Sequence, residues 1–272
     1  MDRTMWVAAI QLTATADMEG NIARAQELVK EAVHHGASLV ALPENFAYMG
    51  PEDQPNPAAQ PLDGPLVREF QALARSLGIY LLLGSFPELV HPERPPFNTS
   101  VLLGIGGQIL ARYRKIHLFD VEVTGGPVFR ESRYIQAGSE VSAVSLAPTL
   151  FTVGLSICYD LRFPELYRAL TDRGADLIFI PATFTLATGR DHWEVLVRAR
   201  AIENQAYVVA PAQWGEHRPG RRSYGRSLIV DPWGTVLAQA PDREGIIYAE
   251  LDHRRLTRLR REMPCLLHRR LR

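Results

Sequence analysis

The chain has 272 residues, 46% of them hydrophobic, enough to bury one substantial core and consistent with one domain. Its 30 basic and 30 acidic residues cancel, so no global field draws it to nucleic acid or to a membrane surface. Two cysteines, Cys158 and Cys265, supply neither a disulfide framework nor a metal-type spacing, so we expect free thiols and a cytoplasmic address.

The first apolar run, WVAAIQL, is flanked by Asp2, Arg3 and Asp17, which makes it a poor signal peptide and a good first strand. NIARAQELVKEAVHHG then reads as a helix closed by Gly36, and SLVALPEN as a buried strand stopped at Pro43. The stretch from Pro51 to Pro65 reads as a long surface loop. GPLVREFQALARSLG predicts a helix, IYLLLGSF a strand, and TSVLLGIGG with QILARYRKI a hairpin. LFTVGLSIC is a strand, followed by the helix PELYRALTDRG, the strand ADLIFIPAT and a helix around WEVLVRARAIENQ. AYVVAPAQ is a further strand, QWGEHRPGRRSYG a polar loop, and SLIVDPWGTVLAQ a last hairpin. Strands alternating with helices predict a layered α/β fold, and the hairpins make its sheet mixed. No run reaches transmembrane length.

Three reactive side chains fall at predicted strand ends: Glu44 after SLVALP, Lys115 after ILARYR and Cys158 after FTVGLSI. Ligands bind outside the carboxyl ends of strands in open α/β sheets, so these residues can converge there. Lys115 stands out for a second reason. Of 30 basic residues only Lys30 and Lys115 are lysine, and Lys115 lies beside two arginines, as if its place required an ammonium. A thiol needs help to ionise, and a helix start near Pro164 together with a cation is expected to lower the pKa of Cys158. Glu44 would take the thiol proton, while Lys115 and the Tyr159 N–H would hold an oxyanion on the attacked carbonyl.

ALPENF, YRKIHLFD, FRES and ICYDLRFPEL, in that order, resemble the motifs of the nitrilase superfamily of carbon–nitrogen hydrolases. The resemblance extends through TGRDHWEVLVRARAIENQAYVVA, SYGRSLIVDPWGTVLA and MPCLLHRR, and is strongest to the Nit amidase branch. It implies a four-layer α-β-β-α sandwich that pairs into a homodimer, with Cys158 as nucleophile, Glu44 as base, Lys115 as oxyanion stabiliser and Glu131 as a second ordering carboxylate. It implies no metal and no organic cofactor. The expected reaction is hydrolysis of a small anionic amide to carboxylate and ammonia through a thioester, with deaminated glutathione as the favoured substrate. An ω-amidase acting on α-ketoglutaramate, a nitrilase, and a noncatalytic scaffold of the same fold stand as alternatives.

Several assignments have plainer rivals. Glu131 can pair with its neighbours Arg130 and Arg133, and His117 or His192 can partner Cys158 in place of Glu44. Arg162 is the candidate for a carboxylate near the nucleophile, with Thr183 and His192 beside it, and Arg218, Arg221 and Arg222 for a carboxylate further off. The tail from Leu251 to Arg272 carries eight arginines against Asp252 and Glu262; it reads as a nucleic-acid patch or as a segment packed at an oligomer interface, and the absence of interleaved aromatics favours the latter.

Overall fold

The computed structural model describes residues 4–51, 54, 56–122, 128–147, 149 and 151–271. Asp2 and Arg3, parts of the loop expected between Pro51 and Pro65, and the last tail residue lie outside them. The first half of the chain runs β1 Thr4–Gln11, α1 Met18–His34, β2 Leu39–Ala41, α2 Pro65–Leu77, β3 Tyr80–Glu88, β4 Phe97–Leu103, β5 Ile109–Arg114, β6 Asp120–Glu122 and β7 Val128–Arg130. The second half runs β8 Ser142–Ser145, β9 Thr152–Leu155, α3 Pro164–Asp172, β10 Leu177–Phe179, α4 Leu186–Asn204, β11 Tyr207–Ala210, β12 Trp214–Arg218, β13 Arg221–Tyr224, β14 Leu228–Val230, β15 Val236–Gln239, β16 Gly245–Asp252 and α5 His253–Glu262.

Two six-stranded sheets, ordered β16-β1-β2-β3-β4-β5 and β15-β14-β11-β10-β9-β8, share one plan. Each has three parallel strands at its centre, β1-β2-β3 or β9-β10-β11, flanked by antiparallel partners. The layering follows from the two-residue period of a strand. In β1 and β2, Met5, Val7, Ala9, Leu39 and Ala41 join the core shared with the second sheet. Their neighbours Ala8, Ile10 and Val40 join a separate core with Leu28 and Val29 of α1 and Val67 and Phe70 of α2. On the far side, Leu166 and Leu170 of α3 and Trp193 and Val197 of α4 cover the second sheet. The result is the expected α-β-β-α sandwich.

Helix ends follow local chemistry. The Asp17 carboxylate accepts from the Gly20 N–H at 3.0 Å and caps α1. Pro65 opens α2, whose exit turns at Gly78 with φ 65, a conformation without penalty only for glycine.

Three segments differ from the sequence reading. QWGEHRPGRRSYG is the hairpin β12-β13, not a loop, and β12 is anchored where the Trp214 N–H donates to the Leu12 carbonyl at 3.0 Å. The helix expected from Trp193 in WEVLVRARAIENQ starts earlier, at Leu186, so His192 lies inside a helix and not after a loop. The arginine-rich tail begins as β16, paired with β1 over its whole length, and continues as α5. Leu256 and Leu259 of α5 are buried, while Arg255 pairs with Asp231, Arg260 donates to the Gln205 carbonyl and Arg269 pairs with Asp172. Many tail arginines are therefore answered within their own chain. Among the described residues no helix is long and apolar enough to cross a membrane.

Candidate active site

A cleft of about 730 Å³ opens where the chain leaves β2, β5, β9 and β10. Glu44, Lys115, Glu131 and Cys158 all line it, with Tyr159, Arg162, Thr183 and Arg221. The reactive residues sit one to three positions beyond their strands, on turns that release side chains from the alternation of the sheet.

Cys158 has φ 48, a left-handed conformation that is costly for a residue with a Cβ and is held only by its surroundings. Its own N–H donates to the Pro181 carbonyl at 2.9 Å, fixing the turn to the exit of β10. Two residues on, the fully buried Asp160 carboxylate accepts from the Ile157 N–H at 2.9 Å and the Tyr113 hydroxyl at 2.7 Å. It also accepts from the His117 N–H at 3.0 Å and meets His117 Nδ1 at 2.7 Å. Tyr113 and His117 stand two residues to either side of Lys115, so one carboxylate ties the cysteine turn to the lysine segment. His117 is thereby committed to Asp160 and is stacked on Phe163, with ring centroids 3.7 Å apart. Among the groups acting on Cys158, Glu44 is present and His117 is not.

Glu44 is buried with every side-chain oxygen engaged. Oε1 accepts from Asn98 Nδ2 at 3.0 Å and Lys115 Nζ at 3.2 Å, and Oε2 from the Thr183 N–H at 2.7 Å. Its carbonyl accepts from Gln213 Nε2 at 3.0 Å and the Thr183 hydroxyl at 3.3 Å. The Cys158 thiol lies close enough to the same carboxylate for each to shift the other's protonation. Gly84 lets β3 pass against this turn, because a Cβ there would collide with the carbonyl oxygens of Leu42 and Pro43.

Lys115 Nζ is bracketed by Glu44 and by both oxygens of Glu131, at 3.0 and 2.8 Å. Glu131 Oε2 also accepts from the Phe119 N–H at 2.6 Å, so it is a site residue and not the surface partner of Arg130 or Arg133. Burial alone would raise the Glu44 pKa, but the Lys115 charge and the hydrogen bonds outweigh it and hold the carboxyl below its ordinary value. Burial would likewise strip Lys115 of its proton, yet Glu131 and Glu44 push its pKa upward and keep it an ammonium. For Cys158 the expectation of a lowered pKa is corrected. Burial, then the Glu44 charge, drive the thiol pKa well up against the smaller pull of Lys115. The nearby helix gives little relief, since Pro164 starts it six residues after the cysteine, beyond an intervening single turn from Cys158 to Arg162. The resting pair is a neutral thiol beside an ionised glutamate.

The arginines divide. Arg162 lies over the Phe184 ring at 5.1 Å and the Tyr159 ring at 5.9 Å, with its NH1 3.3 Å from His192 Nδ1. His192 thus reaches the cleft through Arg162. Arg221 lies over Phe129 at 4.7 Å on the cleft wall. Arg218 and Arg222, expected with it, do not line the cleft. Strand alternation sends Arg222 to the opposite face from Arg221, where it is exposed, and Arg218 sits across the hairpin end from Arg221. Sequence reasoning missed Asn98, which carries no motif of its own in the strand FNTS, and Arg130, also on the cleft wall. Among the described residues no group of three or more His, Cys, Asp or Glu is placed to hold a metal ion.

A family model described as carbon-nitrogen hydrolase matches residues 6–261. A curated relative, the deaminated glutathione amidase of Synechocystis sp., is 45% identical over 263 residues, covering 96% of this chain and 97% of its own. The solved structure of the NitFhit protein of C. elegans superposes with a TM-score of 0.90 at 40% identity; the match covers 98% of this chain and 65% of that longer one. An amidase from Nesterenkonia sp. AN1, solved as a mutant with the acetamide moiety of fluoroacetamide added covalently at its active-site cysteine, superposes with a TM-score of 0.75 at 26% identity, covering 97% of this chain and 95% of that one.

Proposed function

Because the chain belongs to the carbon–nitrogen hydrolase family and is a hydrolase of non-peptide carbon–nitrogen bonds, we propose that it cleaves deaminated glutathione to 2-oxoglutarate and cysteinylglycine, with Cys158 as nucleophile. The observation that carries the mechanism is the contact of a neutral buried thiol with an ionised carboxylate, beside an ammonium, in one cleft. Glu44 takes the thiol proton as the sulfur adds to the amide carbonyl carbon. The oxyanion is held by Lys115 Nζ and the Tyr159 N–H; the Cys158 N–H is already committed to Pro181. Collapse expels the amine, which leaves with the proton from Glu44. Water then adds to the thioester, giving its proton to Glu44, and the carboxylic acid departs as Cys158 is protonated again. Glu131 holds Lys115 in place. For deaminated glutathione the departing amine is cysteinylglycine, whereas ammonia leaves only from a primary amide.

The substrate reading is supported by the name of the Synechocystis relative and by a cleft whose volume suits a ligand of tripeptide size. Arg162, with Thr183 and His192 beside it, meets the oxo-acid carboxylate, and Arg221 the distal glycine carboxylate. We place the enzyme in the cytoplasm as a homodimer without cofactor. Pairing is supported by exposed Val195 and Ile202 on one face of α4, where Ile202 lies against Gly234, the chain neighbour of exposed Trp233.

The test is kcat/KM for deaminated glutathione and α-ketoglutaramate on one preparation, with aliphatic nitriles as control. Deaminated glutathione is preferred, and Arg221→Gln weakens it far more than α-ketoglutaramate, whereas the outward-facing Arg222→Gln changes neither. Preference for α-ketoglutaramate would reassign the protein as an ω-amidase, and turnover retained in Cys158→Ala would remove the mechanism.

A further inference from the structure

Asn98 touches three of the four charged or nucleophilic members of the site without belonging to any motif. It lies in β4, 3% exposed, and lines the cleft. Its Nδ2 donates to Glu44 Oε1 at 3.0 Å and to Glu131 Oε1 at 3.4 Å, and its backbone carbonyl accepts from the Lys115 N–H at 2.9 Å. The opposite atom, Oδ1, is buried with no hydrogen-bond partner. A buried acceptor left unpaired is costly, and an amide side chain ordinarily turns to relieve it. Here turning would aim Oδ1 at two carboxylates, each an acceptor only. The orientation is therefore dictated by the glutamates, and the stranded oxygen is its cost.

We propose that Asn98 is a positioning residue for the amidase reaction, donating from one nitrogen to both Glu44 and Glu131 so that the two carboxylates stay fixed on either side of Lys115. The inference rests on the assignment of Glu44 as the base. Lys115, beyond β5, faces Glu44 from the turn after β2 and Glu131 from the turn after β7; one ammonium thus serves two carboxylates, and Asn98 supplies the neutral donor that balances them. Without that donor Glu44 loses a bond that favours its ionised form, so its protonation moves to higher pH.

The experiment measures kcat, KM, the acid limb of kcat/KM and the melting temperature for Asn98→Ala, Asn98→Ser and Asn98→Asp. In all three kcat falls by about a hundredfold, the cost of a small misplacement of reacting groups, with KM within a few fold; the melting temperature changes little for Asn98→Ala and Asn98→Ser and falls for Asn98→Asp, which sets a third buried carboxylate against Glu44 and Glu131. For Asn98→Ala and Asn98→Ser the acid limb moves to higher pH. Asn98→Asp keeps the shape but exchanges the donor for an acceptor, and Asn98→Ser keeps a neutral polar group too short to reach both carboxylates. Wild-type kcat and acid limb in a folded Asn98→Ala or Asn98→Ser, or wild-type activity in Asn98→Asp, overturn the proposal. Cys158→Ala measured alongside separates the two readings. Turnover retained in Cys158→Ala removes the mechanism itself, whereas an inactive Cys158→Ala beside an unaltered Asn98→Ala removes only the part given to Asn98.

Discussion

Lys115 shows how one side chain is fixed by its neighbours. It is 2% exposed and remains charged because two carboxylates face it, and it must present a compact ammonium in a space shared with the thiol. We expect Lys115→Arg to lose about a hundred- to thousandfold in kcat, the usual cost of removing an oxyanion donor, although the charge is kept. Steady-state kinetics on the two proteins checks this, and near-normal turnover would make Lys115 structural. Glu44 adds a pH dependence. Its folded pKa lies below the ordinary 4.5, so the carboxylate proposed as the base stays ionised as pH falls through that value. The acid limb of kcat/KM is expected with its midpoint below pH 4.5. The same displacement links folding to pH: the stability it contributes is complete above the unfolded value and is lost as pH falls through the folded one.

At the scale of elements, the site depends on how turns are tied to strands. The turn bearing Cys158 is gripped on one side by Asp160 and on the other by Arg200 of α4, which donates from Nε at 3.0 Å and NH2 at 2.7 Å to the Leu161 carbonyl. Asp160→Ala leaves the Ile157 and His117 N–H groups and the Tyr113 hydroxyl without their acceptor, at about 1–3 kcal/mol each. We expect a loss above about 3 kcal/mol in urea unfolding, together with loss of activity. Gly84→Ala acts on the other wall. Pushing β3 away from the Leu42 and Pro43 carbonyls displaces the turn of Glu44, so kcat is expected to fall more than the melting temperature suggests.

For the whole molecule, β16 and α5 close the first sheet and brace the second. Strand β16 hydrogen-bonds along all of β1, and α5 sets the buried Leu256 into the core shared by the sheets. Leu256→Ala is expected to cost about 2–5 kcal/mol, read by denaturant unfolding, because the cavity lies in a packed core. Activity of the remaining folded fraction should be unchanged, since Leu256 is not among the cleft residues.

The sequence by itself determined the alternation of strands and helices and the layered α/β class, and it marked Cys158, Glu44 and Lys115 as candidates, because each was signalled locally. Strands showed two-residue or wholly apolar patterns, Gly36 and Pro164 marked helix ends, and Lys115 stood out among its neighbouring arginines. Only the tertiary structure decided the protonation of Cys158, since burial and the Glu44 charge come from elements far apart in the chain and outweigh the helix start nearby. It alone chose Arg221 over Arg222, because a hairpin register, not a count of arginines, sets which face each occupies. It alone raised Asn98 from an unremarkable strand residue to a contact of both glutamates, because a donor shared by two acceptors exists only after β4 has been laid against the turns that carry them. And it turned a run of arginines into a docked helix, since two leucines suffice to seat α5 once the sheet beneath offers a place for them.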